Sequence, residues 1–366
     1  MKWKKQIANL KAYQPGRSIE SVKKEYGLEE IIKLASNENP FGSSDRAKEW
    51  VQSYTSSYAI YPDGYATVLR SALSEFLGVK ETQLIFGNGS DEVILMISRA
   101  MLEPGKNTVM ADLTFPQYRH NAAVEGAEVR EVPLVNGAHD LEAMLAAVDE
   151  QTAVVWLCSP NNPTGIYIKN DELIQFLNKV PQDVLVVLDE AYHEYVTADD
   201  YYNAVEIAEQ YPNVIVLRTF SKIYGLASFR VGYGFGSEDV IRALEPIREP
   251  FNVNTLGAGA ALAALSDQEF VEMCRTENKK GLEQFYQFCQ SENLDYYPSE
   301  GNFVLINFKC DSDDVAQYLM RKGYIVRSGN ALGCPGAVRV TIGSQEQNEG
   351  AIRAMKSFLA ENSIRQ

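Results

Sequence analysis

From about residue 65 the chain alternates between two rhythms. VLRSALSEFLG (68–78) repeats its apolar positions at helical spacing, and SDEVILMISRAML (90–102) does so again until Pro104 and Gly105 stop it. Around them lie short runs rich in Val, Ile and Leu: QLIFGNG (83–89), NTVMAD (107–112), EVREVPL, AVVWLCSP, VLVVLDEAY, VIVLRTFS and RVGYGFG. Runs with no polar face suit strands buried on both sides, so the pattern predicts an α/β fold with a mostly parallel central sheet covered by helices. In such a sheet, functional residues collect just past the carboxyl ends of the strands.

Near residue 250 the pattern changes. TLGAGAALAAL (255–265) is far shorter than the ~20 residues needed to span a bilayer and reads as a buried helix. QEFVEMCRTENKKGLEQFYQFCQ (268–290) reads as one long amphipathic helix. NFVLINF, YIVRSG and AVRVTIG follow as three strands with helical text between them, and a last helix begins at about 345. The expected organisation is an N-terminal arm over 1–43, a large domain over 44–250 and a smaller α+β domain over 251–366. The arm is polar and is expected to pack with the small domain.

The charge balance narrows the choice of partners. With 34 basic and 49 acidic residues the net charge is −15, which disfavours nucleic acid but leaves room for a small anion held by a few arginines or a helix N-terminus. Cys158, Cys274, Cys289, Cys310 and Cys334 are scattered and odd in number, so a reducing compartment is expected and a zinc ribbon is not. His120, His139 and His193 have no metal-like spacing, and no metal is expected. The opening MKWKKQIANLKAYQPG has no apolar core of a secretory signal, so the expected location is cytoplasmic, with no membrane partner.

Five segments carry candidate chemistry. In TFSKIYGLASFRVGY (219–233), Lys222 follows a buried run; apolar surroundings lower a lysine's pKa, as a Schiff-base amine requires, whereas a lone lysine is more often simply exposed. Ser221 and Arg230 in the same segment suit a phosphate. In VLVVLDEAYHEY (184–195), Asp189 stands at a strand end either as a helix cap or as a carboxylate that keeps a pyridine nitrogen protonated; Tyr192 lies three residues on. CSPNNPTG (158–165) is a turn at least, and Asn162 offers an uncharged amide donor. FGNGSDEV (86–93) lacks the third glycine of a dinucleotide fingerprint, yet it aims the N–H groups of Gly89, Ser90 and Asp91 at an anion; Asp91 is otherwise a favourable first-turn carboxylate. In LTFPQY (113–118), Phe115 serves either the core or a flat ring.

SNENP (36–40), YPDG (61–64), FGNGSDEV, SPNNPTG, DEAY and the SKxxGLxxxRxGY pattern occur in the order found in the fold-type-I pyridoxal-phosphate aminotransferases, which the chain resembles over nearly its whole length. AYQPG (12–16), YIVRSGN (324–330) and VRVTIG (338–343) are similar to the bacterial histidinol-phosphate members of that family. The resemblance implies pyridoxal phosphate on Lys222, with Asp189 at its ring nitrogen and Tyr192 and Asn162 at its phenolate oxygen. It implies Ser90, Asp91, Ser221 and Arg230 at the phosphate and Phe115 on the ring, where some relatives carry Tyr. Tyr61 matches a tyrosine that reaches the cofactor phosphate of the neighbouring subunit, which implies a homodimer. Arg339, with Arg327 and Tyr13, matches the substrate-binding positions. The implied reaction exchanges amino and keto groups between histidinol phosphate and 2-oxoglutarate, and some members of the family also transaminate aromatic amino acids. Rival readings are a threonine-phosphate type of decarboxylase, sharing this architecture, and a non-catalytic regulator, for which the chain has neither a DNA-binding extension nor a basic face.

Overall fold

The computed structural model describes residues 1–8, 10, 12, 16–56 and 58–363. Seven strands form the central sheet: β2 (Leu84–Gly87), β3 (Asn107–Ala111), β4 (Glu128–Val132), β5 (Thr152–Cys158), β6 (Leu185–Asp189), β7 (Val214–Thr219) and β8 (Gly232–Gly236). Their order is β2-β8-β7-β6-β5-β3-β4, with β8 antiparallel to both neighbours and the other pairings parallel.

The uninterrupted apolar runs are explained by burial on both faces. Along β5, Val154, Trp156 and Cys158 enter the core on one face, while Val155 and Leu157 enter the core on the other. β6 and β7 alternate in the same way, through Val186, Val187 and Leu188 and through Ile215, Val216 and Leu217. Helices Ser90–Met101, Gln117–Glu125 and Glu238–Leu244 cover one face; Asn170–Leu177, Ala204–Gln210 and Thr255–Leu265 cover the other. Every parallel strand therefore ends at one rim, and β2 ends there too.

A second sheet, ordered β12-β13-β10-β9, is antiparallel throughout. Its strands are β9 (Asp295–Tyr296), β10 (Phe303–Asn307), β12 (Arg327–Ser328) and β13 (Ala337–Thr341), and helices Gln268–Ser291, Ser312–Arg321 and Gln345–Ser363 pack around it. One expected strand differs. YIVRSG divides into β11 (Tyr324–Ile325), which pairs in parallel with β1 (Ile32–Lys33), and β12, which joins the larger sheet. Val326, between them, is buried, so the chain changes partners without leaving the core. Through β1 the segment ahead of the large sheet is stitched to the C-terminal one.

Candidate active site

The rim of the central sheet opens on a cavity of about 550 Å³. Eleven of the residues singled out from the sequence line it: Ser90, Asp91, Phe115, Asn162, Asp189, Tyr192, Ser221, Lys222, Arg230, Arg327 and Arg339. Each of the first nine follows a strand end at that rim or the turn beyond it. Tyr61 does not line the cavity. It is 78% exposed and stacks on Phe251 with ring centroids 4.8 Å apart. Tyr13 lies outside the described residues.

At the floor, Lys222 Nζ donates to the Ser36 carbonyl at 3.2 Å and lies 5.7 Å above the Tyr192 ring. Burial, then the charge of Arg339, lowers its pKa to about 8. Asp189, beyond it, is buried and pushed up to about 6 by desolvation. The Tyr118 hydroxyl donates to it at 2.6 Å, and the Ala191 N–H donates at 3.2 Å. Tyr118 is itself fixed by stacking on Trp156 at 4.8 Å and by an edge contact from Phe115 at 5.6 Å.

One end of the cavity is built for an anion. The helix Ser90–Met101 starts there after Gly89, and no side chain caps its N-terminus among the described residues. Arg230 stands beside it in a left-handed conformation, φ 55°. Its guanidinium donates to Ser221 Oγ at 3.4 Å and to the Asn88 carbonyl and Asp91 Oδ2, both at 3.3 Å. The Asp91 carboxylate thus faces Arg230, and backbone N–H groups are left to meet the anion. Room here is tight: a Cβ on Gly232 would come within 2.2 Å of the Ser90 nitrogen, and one on Gly89 within 2.6 Å of Arg230 Nη2.

The opposite wall belongs to the second sheet. Arg339 is buried; it donates from Nη1 to Asn162 Oδ1 at 2.6 Å and from Nη2 to the Ala35 carbonyl at 2.8 Å, and its guanidinium lies 5.5 Å over the Phe303 ring. Arg327 is its direct cross-strand partner on β12. Like charges placed opposite each other on a sheet repel, and a bound anion relieves that repulsion.

Sequence reasoning passed over Tyr118, although it sits three residues after Phe115 in a segment already singled out, and over Ala35, Ser36 and Asn37. The motif SNENP marked the neighbourhood without indicating a role. His139 and His193 are half-buried and do not line the cavity, and desolvation lowers each to about 4. Among the described residues no group of His, Cys, Asp or Glu could hold a metal ion, and no helix is long and apolar enough to cross a membrane.

Residues 29–355 match the family model for aminotransferase class I and II. The chain belongs to that family. It is 59% identical to the histidinol-phosphate aminotransferase of Geobacillus sp. (strain WCH70) over 364 residues, covering all of both chains. It is 57% identical to that of Bacillus subtilis (strain 168), over 98% of this chain and 100% of the other. Among solved structures, the histidinol-phosphate aminotransferase of Sinorhizobium meliloti in complex with pyridoxal-5'-phosphate superposes with a TM-score of 0.87 at 26% identity, covering 97% of this chain and 98% of that one. An aspartate aminotransferase of Thermus thermophilus shares the fold, with a TM-score of 0.82 at 21% identity and coverage of 98% and 99%. The aminotransferase is thus of fold type I, and its cavity suits the family's cofactor. It holds a depressed lysine amine, a buried carboxylate whose charged form a facing cation would favour, and an uncapped helix N-terminus beside an arginine.

Proposed function

We propose that this aminotransferase, with pyridoxal 5'-phosphate bound, exchanges amino and keto groups between L-histidinol phosphate and 2-oxoglutarate, giving imidazole-acetol phosphate and glutamate in histidine biosynthesis. What carries the reading is the meeting of Lys222, Asp189 and the Arg339–Arg327 pair in one cavity, in a chain 59% identical end to end to a protein of that name. When bound, the cofactor supplies an electron sink for the pair left as the bond from the substrate α-carbon to its hydrogen breaks.

Each residue has a defined task in this reading. Lys222 holds the cofactor, and its Nζ takes the α-proton and returns it. Asp189 keeps a proton on the ring nitrogen, and Tyr118 and Ala191 fix the carboxylate that does so. Tyr192 and Asn162 serve the phenolate oxygen, and Phe115 covers the ring face. Ser90, Asp91, Ser221 and Arg230 hold the phosphate, through backbone N–H groups, a hydroxyl and a guanidinium. Arg339 receives the α-carboxylate of glutamate in one half-reaction and the phosphate of histidinol phosphate in the other, assisted by Arg327 and Tyr13. Tyr61 serves the phosphate of a second copy's site, so the working form is a homodimer, in the cytoplasm.

A donor panel tests the proposal: purified protein, pyridoxal phosphate and 2-oxoglutarate, with histidinol phosphate, tyrosine or phenylalanine as donor and glutamate as readout. Histidinol phosphate is expected to turn over fastest; a preference for an aromatic donor would count against the assignment. Arg339→Ala is expected to raise KM for glutamate and histidinol phosphate alike by roughly 10–100-fold, the value of a charge-assisted hydrogen bond pair. An effect on one substrate alone would refute the shared pocket.

A further inference from the structure

Three consecutive residues ahead of the large sheet each hold a different group of the cavity. The Ala35 carbonyl accepts from Arg339, the Ser36 carbonyl accepts from Lys222, and the Asn37 amide donates to the Tyr192 hydroxyl at 2.9 Å. Asn37 is buried and sits at φ 56°, a left-handed conformation that Asn tolerates.

Its amide orientation is dictated by Thr341, the last residue of β13. The Asn37 N–H donates to Thr341 Oγ1 at 2.9 Å, and that hydroxyl donates to Asn37 Oδ1 at 3.0 Å. Reversing the amide would take from the buried Thr341 hydroxyl the acceptor it uses. The Asn302 amide pins the same residue by donating to the Asn37 carbonyl at 3.0 Å. Asn162 is oriented just as firmly. A guanidinium has only donors, so Asn162 must offer Oδ1 to Arg339, and its Nδ2 then donates to the Tyr192 hydroxyl at 3.3 Å.

The Tyr192 oxygen therefore receives two amide donors. With both accepting directions used, its own hydrogen must be given away from Asn37 and Asn162. We propose that Asn37, held by Thr341, is a positioning residue that locks the Tyr192 hydroxyl as a hydrogen-bond donor into the cavity, toward the cofactor's phenolate oxygen. The inference rests on the cofactor reading above and concerns how that donor is aimed. It also ties a strand of the second sheet to a group at the rim of the first.

A hydrogen bond donated to a phenolate favours its anionic form, so weakening it raises the pH at which the bound cofactor's visible band titrates. The charged and titratable groups around the Tyr192 hydroxyl are Lys222, Arg339, Asp189 and Cys158, and the variants below leave all four in place. The experiment titrates the visible absorbance of the holoenzyme for the wild type, Asn37→Gly, Thr341→Val and Thr341→Ser. Glycine keeps the left-handed backbone, and valine keeps the shape of threonine without the hydroxyl. Asn37→Gly and Thr341→Val are expected to raise the midpoint by roughly 0.5–1 unit, part of the value of a hydrogen bond to a charged group. Thr341→Ser should keep the wild-type midpoint. In a Tyr192→Phe background Asn37→Gly should add nothing, because both changes remove one interaction. Unchanged midpoints in Asn37→Gly and Thr341→Val, or an equal shift with and without the Tyr192 hydroxyl, would overturn the proposal. A wild-type protein that develops no visible band with pyridoxal phosphate would instead sink the cofactor reading, and the proposal with it.

Discussion

Lys222 and Asp189 are driven in opposite directions by one cause. Burial disfavours charge, so the amine falls to about 8 and the carboxylate rises to about 6. The amine's shift has a kinetic consequence for cofactor capture by the free enzyme, which needs the neutral form. Its rate is expected to climb about tenfold per pH unit up to about 8 and then level off, whereas an ordinary lysine would keep climbing towards 10.5. Mixing the apoenzyme with pyridoxal phosphate at a series of pH values and following visible absorbance measures this; a curve still rising at pH 10 would refute the depressed amine. At this scale the sequence was legible where one residue's setting follows from its own segment. Asp189 ends an apolar run and Lys222 follows one closely, and that is visible in the letters. The bond from Tyr118 to Asp189 spans 71 residues and that from Asn37 to Tyr192 spans 155, and no local pattern announces either.

Between residues and molecule stands the junction of β2, the turn at Gly89 and the helix Ser90–Met101. It can receive an anion only because β8 enters beside it without a side chain. Gly232→Ala would drive a methyl group into the Ser90 nitrogen and the Gly89 backbone, so the helix N-terminus must move. The variant is expected to bind pyridoxal phosphate at least roughly tenfold more weakly, the loss of one hydrogen bond to a charged group, while the visible band still forms at saturation. Fluorescence titration of the apoenzyme reads this, and an unaltered Kd would mean that the turn does not hold the phosphate. The glycine-rich run RVGYGFG was readable as a strand, but its reason for being glycine was not, since the contact is made by another strand's turn. The long helices and both-face-buried strands were legible because their periodicity runs over whole elements. The two-residue strand β9 was not, and YIVRSG was readable as one strand but not as the two, β11 and β12, into which it divides: pairs this short have no period and take their identity from their neighbours.

At the scale of the whole molecule, the surface around Tyr61 points past the single chain. Tyr58, Ile60, Tyr61, Tyr65, Val68 and Phe251 are exposed together in sequence or in contact, and the proposed dimer would cover this apolar surface. The patch adjoins the anion end of the cavity: Phe251 precedes Asn252, whose carbonyl accepts from Asn88 at 2.8 Å, one residue before Gly89. A second copy docked here would bring its own Tyr61 to that end, so each site would use Lys222 from one subunit and Tyr61 from the other. Complementation separates this from a purely local role. Lys222→Ala and Tyr61→Ala subunits, each inactive alone at limiting cofactor, are co-expressed with different tags and purified as mixed species. If Tyr61 serves the partner, a mixed dimer has one of its two sites with both residues intact, so the purified mixed species should recover about half of wild-type activity through two-fold symmetry alone. If Tyr61 served its own subunit, every site in the mixed dimer would lack one residue or the other and no activity would return. Sedimentation of the mixed species fixes the subunit count, and a monomeric wild-type protein would end the dimer reading outright.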